Sequence, residues 1–306
     1  MGFNAARGLR TKRGSLMEEM RAEEREATIY VYTMTSDTGF APNPFGGLCT
    51  LACCKPQIRR AAAQLVSERF WQQLREKENV SRWSACQKKR LAQEKKINFD
   101  LTGLAFVRGN VGAVCKMDFC DFVRGQNLWV VGLAGKGLPC LPAAGRGSVI
   151  FAMQVSNILS FPEYWQRGCK RPQPAADYFV RPQPEADYWQ QNNSIRNCAD
   201  NVYEVDSAAR RIVVHPSFHL TGGNLDPDAV VHDLSGEFVL LSDHFCYFGR
   251  EAKKLSLPFE VKRGHRVLNK DSALSGWLKN NVAAGGHVCG RPCQCGVRFP
   301  EEVNLT

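Results

Sequence analysis

The chain of 306 residues lacks any run of about 18 consecutive apolar residues, so no membrane-spanning helix is expected. Met1 to Arg13 is polar and basic with no apolar stretch behind it, so no secretory leader is expected there. No dinucleotide fingerprint, P-loop or nucleophile elbow appears. Phe45-Gly-Gly-Leu48 and Gly135-Lys-Gly-Leu138 superficially suggest glycine-rich phosphate loops, yet neither has the strand-turn-helix context such a loop needs. Paired Cys-x2-Cys units, the usual mark of a structural zinc site, are also missing.

What is present is a globular composition. Hydrophobic residues make up 44% and aromatics 10%, enough for a packed core. The thirteen cysteines, with no leader in view, read as reduced thiols of an intracellular protein, cytoplasmic or nuclear and not secreted. The formal charge of +10 suits contact with a polyanion. Half of that excess, a net of +5, falls within residues 65–124, so the charge is a weaker guide to the rest of the chain; a plain solvated basic surface would show the same balance.

Residues 1–26 read as a flexible arm, basic and then charged, with Ser15 and Glu18 at capping-box spacing for a short surface helix. Ala27 to Met34 is rich in β-branched and aromatic residues and predicts the first core strand. Asp37 to Gly47 is a loop stiffened by Pro42 and Pro44. Cys49 to Arg60 predicts a strand or short helix broken at Pro56, and 61–98 is helical in character. Strands are predicted at 127–133, 148–155, 211–215 and 238–242, with 245–249 close behind, and a helix at Ser272–Asn281. Arg171-Pro-Gln-Pro-Ala-Ala-Asp-Tyr-Phe179 recurs as Arg181-Pro-Gln-Pro-Glu-Ala-Asp-Tyr-Trp189, a duplication too short for a solenoid, within a proline-rich loop over 170–199. The count predicts an α+β fold: a mostly antiparallel sheet or partly closed β-barrel with a few short helices over 27–285, and a cysteine-rich tail over 286–306.

Thr38-Gly-Phe-Ala-Pro-Asn-Pro-Phe-Gly-Gly-Leu-Cys-Thr-Leu-Ala-Cys-Cys-Lys-Pro-Gln-Ile-Arg-Arg60 resembles the signature of the nucleotide modification associated domain 2 family. The likeness resumes at Gln126-Asn-Leu-Trp-Val-Val-Gly132, Gly145-Arg-Gly147, Ile150 to Val155, Phe161-Pro-Glu-Tyr-Trp165, Asp200 to Tyr203, Ser217-Phe-His219, Val231-His-Asp233 and Leu241 to Gly249. The resemblance implies a protein of nucleotide or nucleic-acid base modification, catalytic or accessory, with nucleic acid or nucleotide as partner. It names no cofactor. The strand pair at 127–155 also resembles the modified-base-reading PUA and EVE barrels. Family members pass almost directly from the Ile-Arg-Arg-Ala region to the Trp-Val-Val-Gly strand, so residues 63–124 read as an insertion, a surface excursion or translated intron.

In the first loop, Asp37, Phe40, Asn43 and Phe45 could form a base pocket, since aromatic faces stack on bases and an amide pairs with a base edge. The same residues could instead form a rigid plug. Lys136 and Arg146, among glycines, suit phosphate contact or an ordinary long connection. Lys55, Arg59, Trp129, Tyr164, Trp165 and Tyr247 lie in the segments of resemblance and complete the expected nucleotide-binding set. Cys49, Cys53 and Cys54 are candidate nucleophiles if a histidine among His219, His232 and His244 serves as base, or small buried hydrophobes if none does. His219, His232, Asp233 and Asp243 could act as acid and base or hold a metal, or simply satisfy turns. His287, Cys289, Cys293 and Cys295 form a weak zinc candidate. Three readings follow: a modification enzyme or accessory factor, a non-catalytic reader of modified bases or nucleic acid, and a degenerate chain without activity.

Overall fold

The computed structural model describes residues 25–76, 101–138, 145–171, 200–206, 211–215, 220–221, 224–255, 264–269, 272–282, 285–290 and 292–293. In chain order the elements are β1 (Thr28–Met34), β2 (Cys49–Leu51), α1 (Pro56–Glu76), α2 (Leu101–Cys115), α3 (Phe119–Arg124), β3 (Leu128–Ala134), β4 (Val149–Gln154), β5 (Asn157–Ser160) and α4 (Phe161–Arg167). They continue with β6 (Tyr203–Asp206), β7 (Arg211–Val214), β8 (Leu220–Thr221), β9 (Asn224–Leu225), α5 (Pro227–Leu234), β10 (Phe238–Ser242), β11 (His244–Tyr247), β12 (His265–Asn269), α6 (Ser272–Asn281) and β13 (Gly286–Val288).

The largest sheet has six strands in the order β12-β1-β3-β4-β11-β13. It is mixed: β1 runs parallel to β3 and β11 parallel to β13, while the remaining neighbours are antiparallel. A second, antiparallel sheet has the order β2-β10-β5, and β6-β7 and β8-β9 are two-stranded ribbons. The α+β class therefore holds. The PUA-like barrel is not found: among the described residues β12 and β13 end an open sheet, with no pairing between them to close it. The antiparallel β3–β4 pair expected within such a barrel is present, but inside this open sheet.

The strand chemistry explains the layering. Alternation along β1 sends Tyr30 and Tyr32 to one face and Ile29 and Val31 to the other. Both faces are covered, as a central parallel strand requires. On the first face α1, α2 and α3 pack with the second sheet; on the other, Leu274 and Leu278 of α6 cover Ile29, Val31 and Trp129. A third cluster lies between the second sheet and α4, with Ala52, Leu159, Val239, Phe161 and Tyr164.

Pro56 opens α1 instead of breaking it, because the first helical residue has no intrahelical use for its N–H. Ile58, Ala62, Val66, Phe70 and Leu74 recur every fourth residue along α1 and are all fully buried. Trp71 stacks on Phe106 of α2 with ring centroids 5.1 Å apart. Leu104, Val107, Val111, Phe119 and Phe122 join the same core. The described parts of 63–124 thus supply one wall of the main core. The short helices carry explicit caps. Ser160 and Glu163 form a capping box at α4, and Asp226 accepts from the Ala229 N–H at 3.1 Å at the start of α5. No helix among the described residues is long and apolar enough to cross a membrane.

Candidate functional site

The loop after β1 folds back on itself. Asn43 and Thr50 exchange two backbone hydrogen bonds of 2.9 Å, with Gly46 and Gly47 at positive φ forming the turn between them. Asn43 Oδ1 caps this turn by accepting from the Phe45 N–H at 3.2 Å. Lys170 arrives from the end of α4. Its ammonium donates to the Asn43 carbonyl at 2.6 Å, to Asn43 Oδ1 and Thr50 Oγ1 at 3.0 Å, and to the Leu48 carbonyl. Thr50 in turn donates to Asp200 Oδ2 at 2.6 Å, and the Tyr164 hydroxyl donates to Asp200 Oδ1 at 2.7 Å. Burial pushes the Asp200 carboxyl upward, opposed by the Lys170 charge. This network spends the Asn43 side-chain oxygen on the loop itself. Phe40 and Phe45 are buried, and a side chain at Gly39 would collide with Phe45 and Pro292. Asn43, Phe40 and Phe45 are thus engaged in the loop's own hydrogen bonds and packing.

The three cysteines sit within this corner. Cys49 and Cys53 are buried, and Cys53 Sγ lies 3.4 Å from the Asp200 carbonyl. Cys54 is half-buried, with its sulfur 3.7 Å from the Ala41 carbonyl. Burial pushes the thiols of Cys49 and Cys54 to about 12, and that of Cys53 well above its ordinary value. They are neutral thiols at pH 7. No described histidine is among their partners. His232 is exposed on α5, His244 is held by Gln154 at 2.8 Å and the Val282 carbonyl at 2.9 Å, and His219 lies outside the described residues.

Arg59 and Asp233 lie in a buried network of their own. The Arg59 guanidinium is fully buried and donates to the carbonyls of Cys54 (2.8 Å), Phe238 (2.5 Å) and Asp233. A methyl group at Gly236 would stand 2.5 Å from Arg59 Cζ, so only glycine leaves room for the guanidinium. Asp233 accepts from the Tyr203 hydroxyl at 2.8 Å. Together these contacts tie α1 to the end of α5 and the start of β10. Asp243 lies apart from them, in an ion pair with Arg124 at 2.6 Å on the surface.

A different set converges at the carboxyl ends of β1 and β3. Asp37 is buried and accepts from the Tyr247 hydroxyl at 2.5 Å and the Cys293 N–H at 2.8 Å; burial pushes its carboxyl upward. Tyr32, with only 1% of its surface exposed, buries its hydroxyl facing Cys54, Cys49 and Asp37. Lys55, left-handed at φ 50°, holds its ammonium 4.7 Å from the Tyr32 ring centroid. At the same sheet end the Gly135 N–H donates to the Met34 carbonyl at 2.9 Å, and the Gly135-Lys-Gly137 turn leaves Lys136 exposed. Arg146, Lys253 and Lys254 are exposed beside it, and Val149 and Lys253 are joined through their backbones. The end of the sheet thus has a buried acid and phenol at its centre and four cations on its rim.

The remaining expected residues are scattered. Trp129 is buried and donates to Asn127 Oδ1 at 2.8 Å. Trp165 stacks on His215 with centroids 4.4 Å apart and carries the Arg171 cation at 4.2 Å. His287 is exposed, Cys289 lies beside Cys246 and Cys293 beside Asp37, while Cys295 falls outside the described residues. No group of three or more metal-ligating side chains occurs among the described residues. Sequence reasoning missed Lys170, Tyr32 and Tyr203. Asp200 and Tyr203 do lie in a segment of family likeness, which was the one signal available for them.

A family model described as nucleotide modification associated domain 2 matches residues 26–70 and 105–298. No curated protein and no solved structure matches the chain.

Proposed function

The chain belongs to the nucleotide modification associated domain 2 family, and on that premise we propose that it acts in nucleotide or nucleic-acid base modification by binding phosphate at the carboxyl ends of β1 and β3. The observation that carries this is the rim of Lys136, Arg146, Lys253 and Lys254 around a glycine turn with outward-facing cations. Ligands of sheets with parallel strands gather at the carboxyl ends of those strands. Lys136 and Arg146 contact phosphate oxygens. Lys55 and Tyr32 stand deeper, where a sugar or base would follow. The ordinary proton chemistry of the corner belongs to Asp37, whose raised carboxyl can hold a proton nearer neutrality than a surface aspartate.

One observation favours a reader over a catalyst: Cys49, Cys53 and Cys54 are neutral thiols with no histidine among their partners within the described residues. Binding without covalent chemistry suits that arrangement.

Fluorescence anisotropy with labelled single-stranded DNA and RNA and with a labelled nucleoside triphosphate, over a salt series, tests the proposal. Replacing Lys136 and Arg146 by glutamate is expected to weaken binding about tenfold or more and to make the salt dependence shallower by about two phosphate contacts. Equal binding by the wild-type and doubly substituted chains, or no binding by either at low salt, overturns it.

A further inference from the structure

Cys246 and Cys289 are free thiols whose sulfurs lie 3.1 Å apart. They belong to neighbouring parallel strands. Cys246 sits on β11 opposite His287 of β13, and Cys289 follows β13 with its N–H donating to the Tyr247 carbonyl at 2.7 Å. A disulfide needs the sulfurs to close by about 1 Å more, within reach of side-chain rotation. Cys246 is buried and Cys289 is exposed.

What this pair holds matters for the corner described above. β13 pairs over only three residues, each exposed. Beyond it, Pro292 packs against the place a side chain at Gly39 would take, and the Cys293 N–H donates to Asp37. The segment from Gly286 to Cys293 is therefore a strap across the loop that follows β1, anchored by one short edge strand.

We propose that Cys246 and Cys289 are a reversible thiol–disulfide pair, oxidised by a hydroperoxide, that staples this strap to β11 and so fixes the loop bearing Asp37. The reaction balances in two steps. The exposed Cys289 sulfur attacks the hydroperoxide; an S–O bond forms, the O–O bond breaks, and water or alcohol leaves, giving the sulfenic acid. The Cys246 sulfur then attacks the Cys289 sulfur; the S–S bond forms, the S–O bond breaks, and the hydroxyl leaves as water with the Cys246 proton. Two thiols lose two electrons and two protons, and a dithiol reductant reverses the change. The inference does not rest on the nucleotide reading, because its first readout is covalent.

The full chain, reduced and then treated with hydrogen peroxide, is digested without reductant and mapped by mass spectrometry. The expected result is a cross-linked peptide pair joining Cys246 to Cys289, about 2 Da lighter than the two reduced peptides, that disappears on dithiothreitol treatment. Cys289→Ser, at an exposed position that leaves the core untouched, is expected to abolish the cross-link. Limited proteolysis of the strap is expected to slow about tenfold on oxidation of the wild type and to be unchanged by peroxide in Cys289→Ser. Absence of the cross-link, or pairing of Cys289 with Cys293 or another cysteine instead, overturns the proposal.

Discussion

At the scale of single residues, the corner at the end of β1 is built on buried polar groups that burial penalises when charged. Asp37 is the clearest. A carboxyl whose value is raised on folding binds its proton more tightly in the folded chain than in the unfolded one, where it titrates near 3.9. The folded chain then holds more protons, so stability falls as pH rises. The contribution of Asp37 is accordingly full below about pH 4 and is lost as pH climbs through its raised folded value. Asp37→Asn keeps an oxygen for the Tyr247 hydroxyl or the Cys293 N–H but cannot ionise. Urea unfolding of both chains across this range is expected to show the wild type losing stability relative to Asp37→Asn as pH rises, with the difference levelling off above the raised value. A difference that stays constant with pH would place no shift on Asp37. The sequence already points to Asp37 and Asn43, because a doubly proline-stiffened loop after a strand is a local pattern. The Lys170 clamp is not legible in the same way. It lies 127 residues from Asn43, and no spacing rule brings a lysine that far.

At the scale of elements, α1 and α2 carry the described parts of the segment between 63 and 124 into the main core. As sequence the stretch looks like an insertion, because lysine, arginine and glutamate dominate its middle and dilute the apolar period. The period is nonetheless present in α1, where Ile58, Ala62, Val66, Phe70 and Leu74 form one buried stripe. Phe70 stands at its centre, edge-on to Phe122 of α3 at 6.1 Å and to Trp71 at 5.4 Å. Phe70→Ala is expected to cost about 3–5 kcal/mol, the range for a buried aromatic replaced by a cavity. Thermal or urea unfolding measures it, and a cost under about 1 kcal/mol would mean the helix is a dispensable cover. The family match agrees with this division: it continues to residue 70 and resumes at 105, so most of the described helical wall lies within it. Pro56 is the instructive misreading at this scale. A proline between a strand and a polar run signals a break, yet at the first turn of a helix it costs no hydrogen bond.

At the scale of the whole molecule, the sequence leads to strands but not to their closure. The strong runs at β1, β3, β4 and β10 are visible as β-branched clusters. Which of them are neighbours, and whether the sheet ends meet, depends on pairings between distant segments such as β1 with β12 and β11 with β13. Short strands such as β12 and β13 carry too little pattern to count from sequence. The consequence of an open sheet is physical: a barrel would have no free edges, and among the described residues this sheet has two. Strand β12 pairs with β1 on one side, and it is exposed along most of its length. Val267 is 43% exposed there, beside His265 and Arg266. An exposed apolar residue on an edge strand invites a second strand, and polar neighbours such as His265 and Arg266 make the edge a poor partner for another copy. Replacing both His265 and Arg266 by valine removes those polar side chains and lengthens the apolar edge. Sedimentation velocity at matched concentrations is expected to show a larger mass for the doubly substituted chain than for the wild type, growing with concentration. Identical sedimentation of the two chains would mean that something other than these two side chains guards β12.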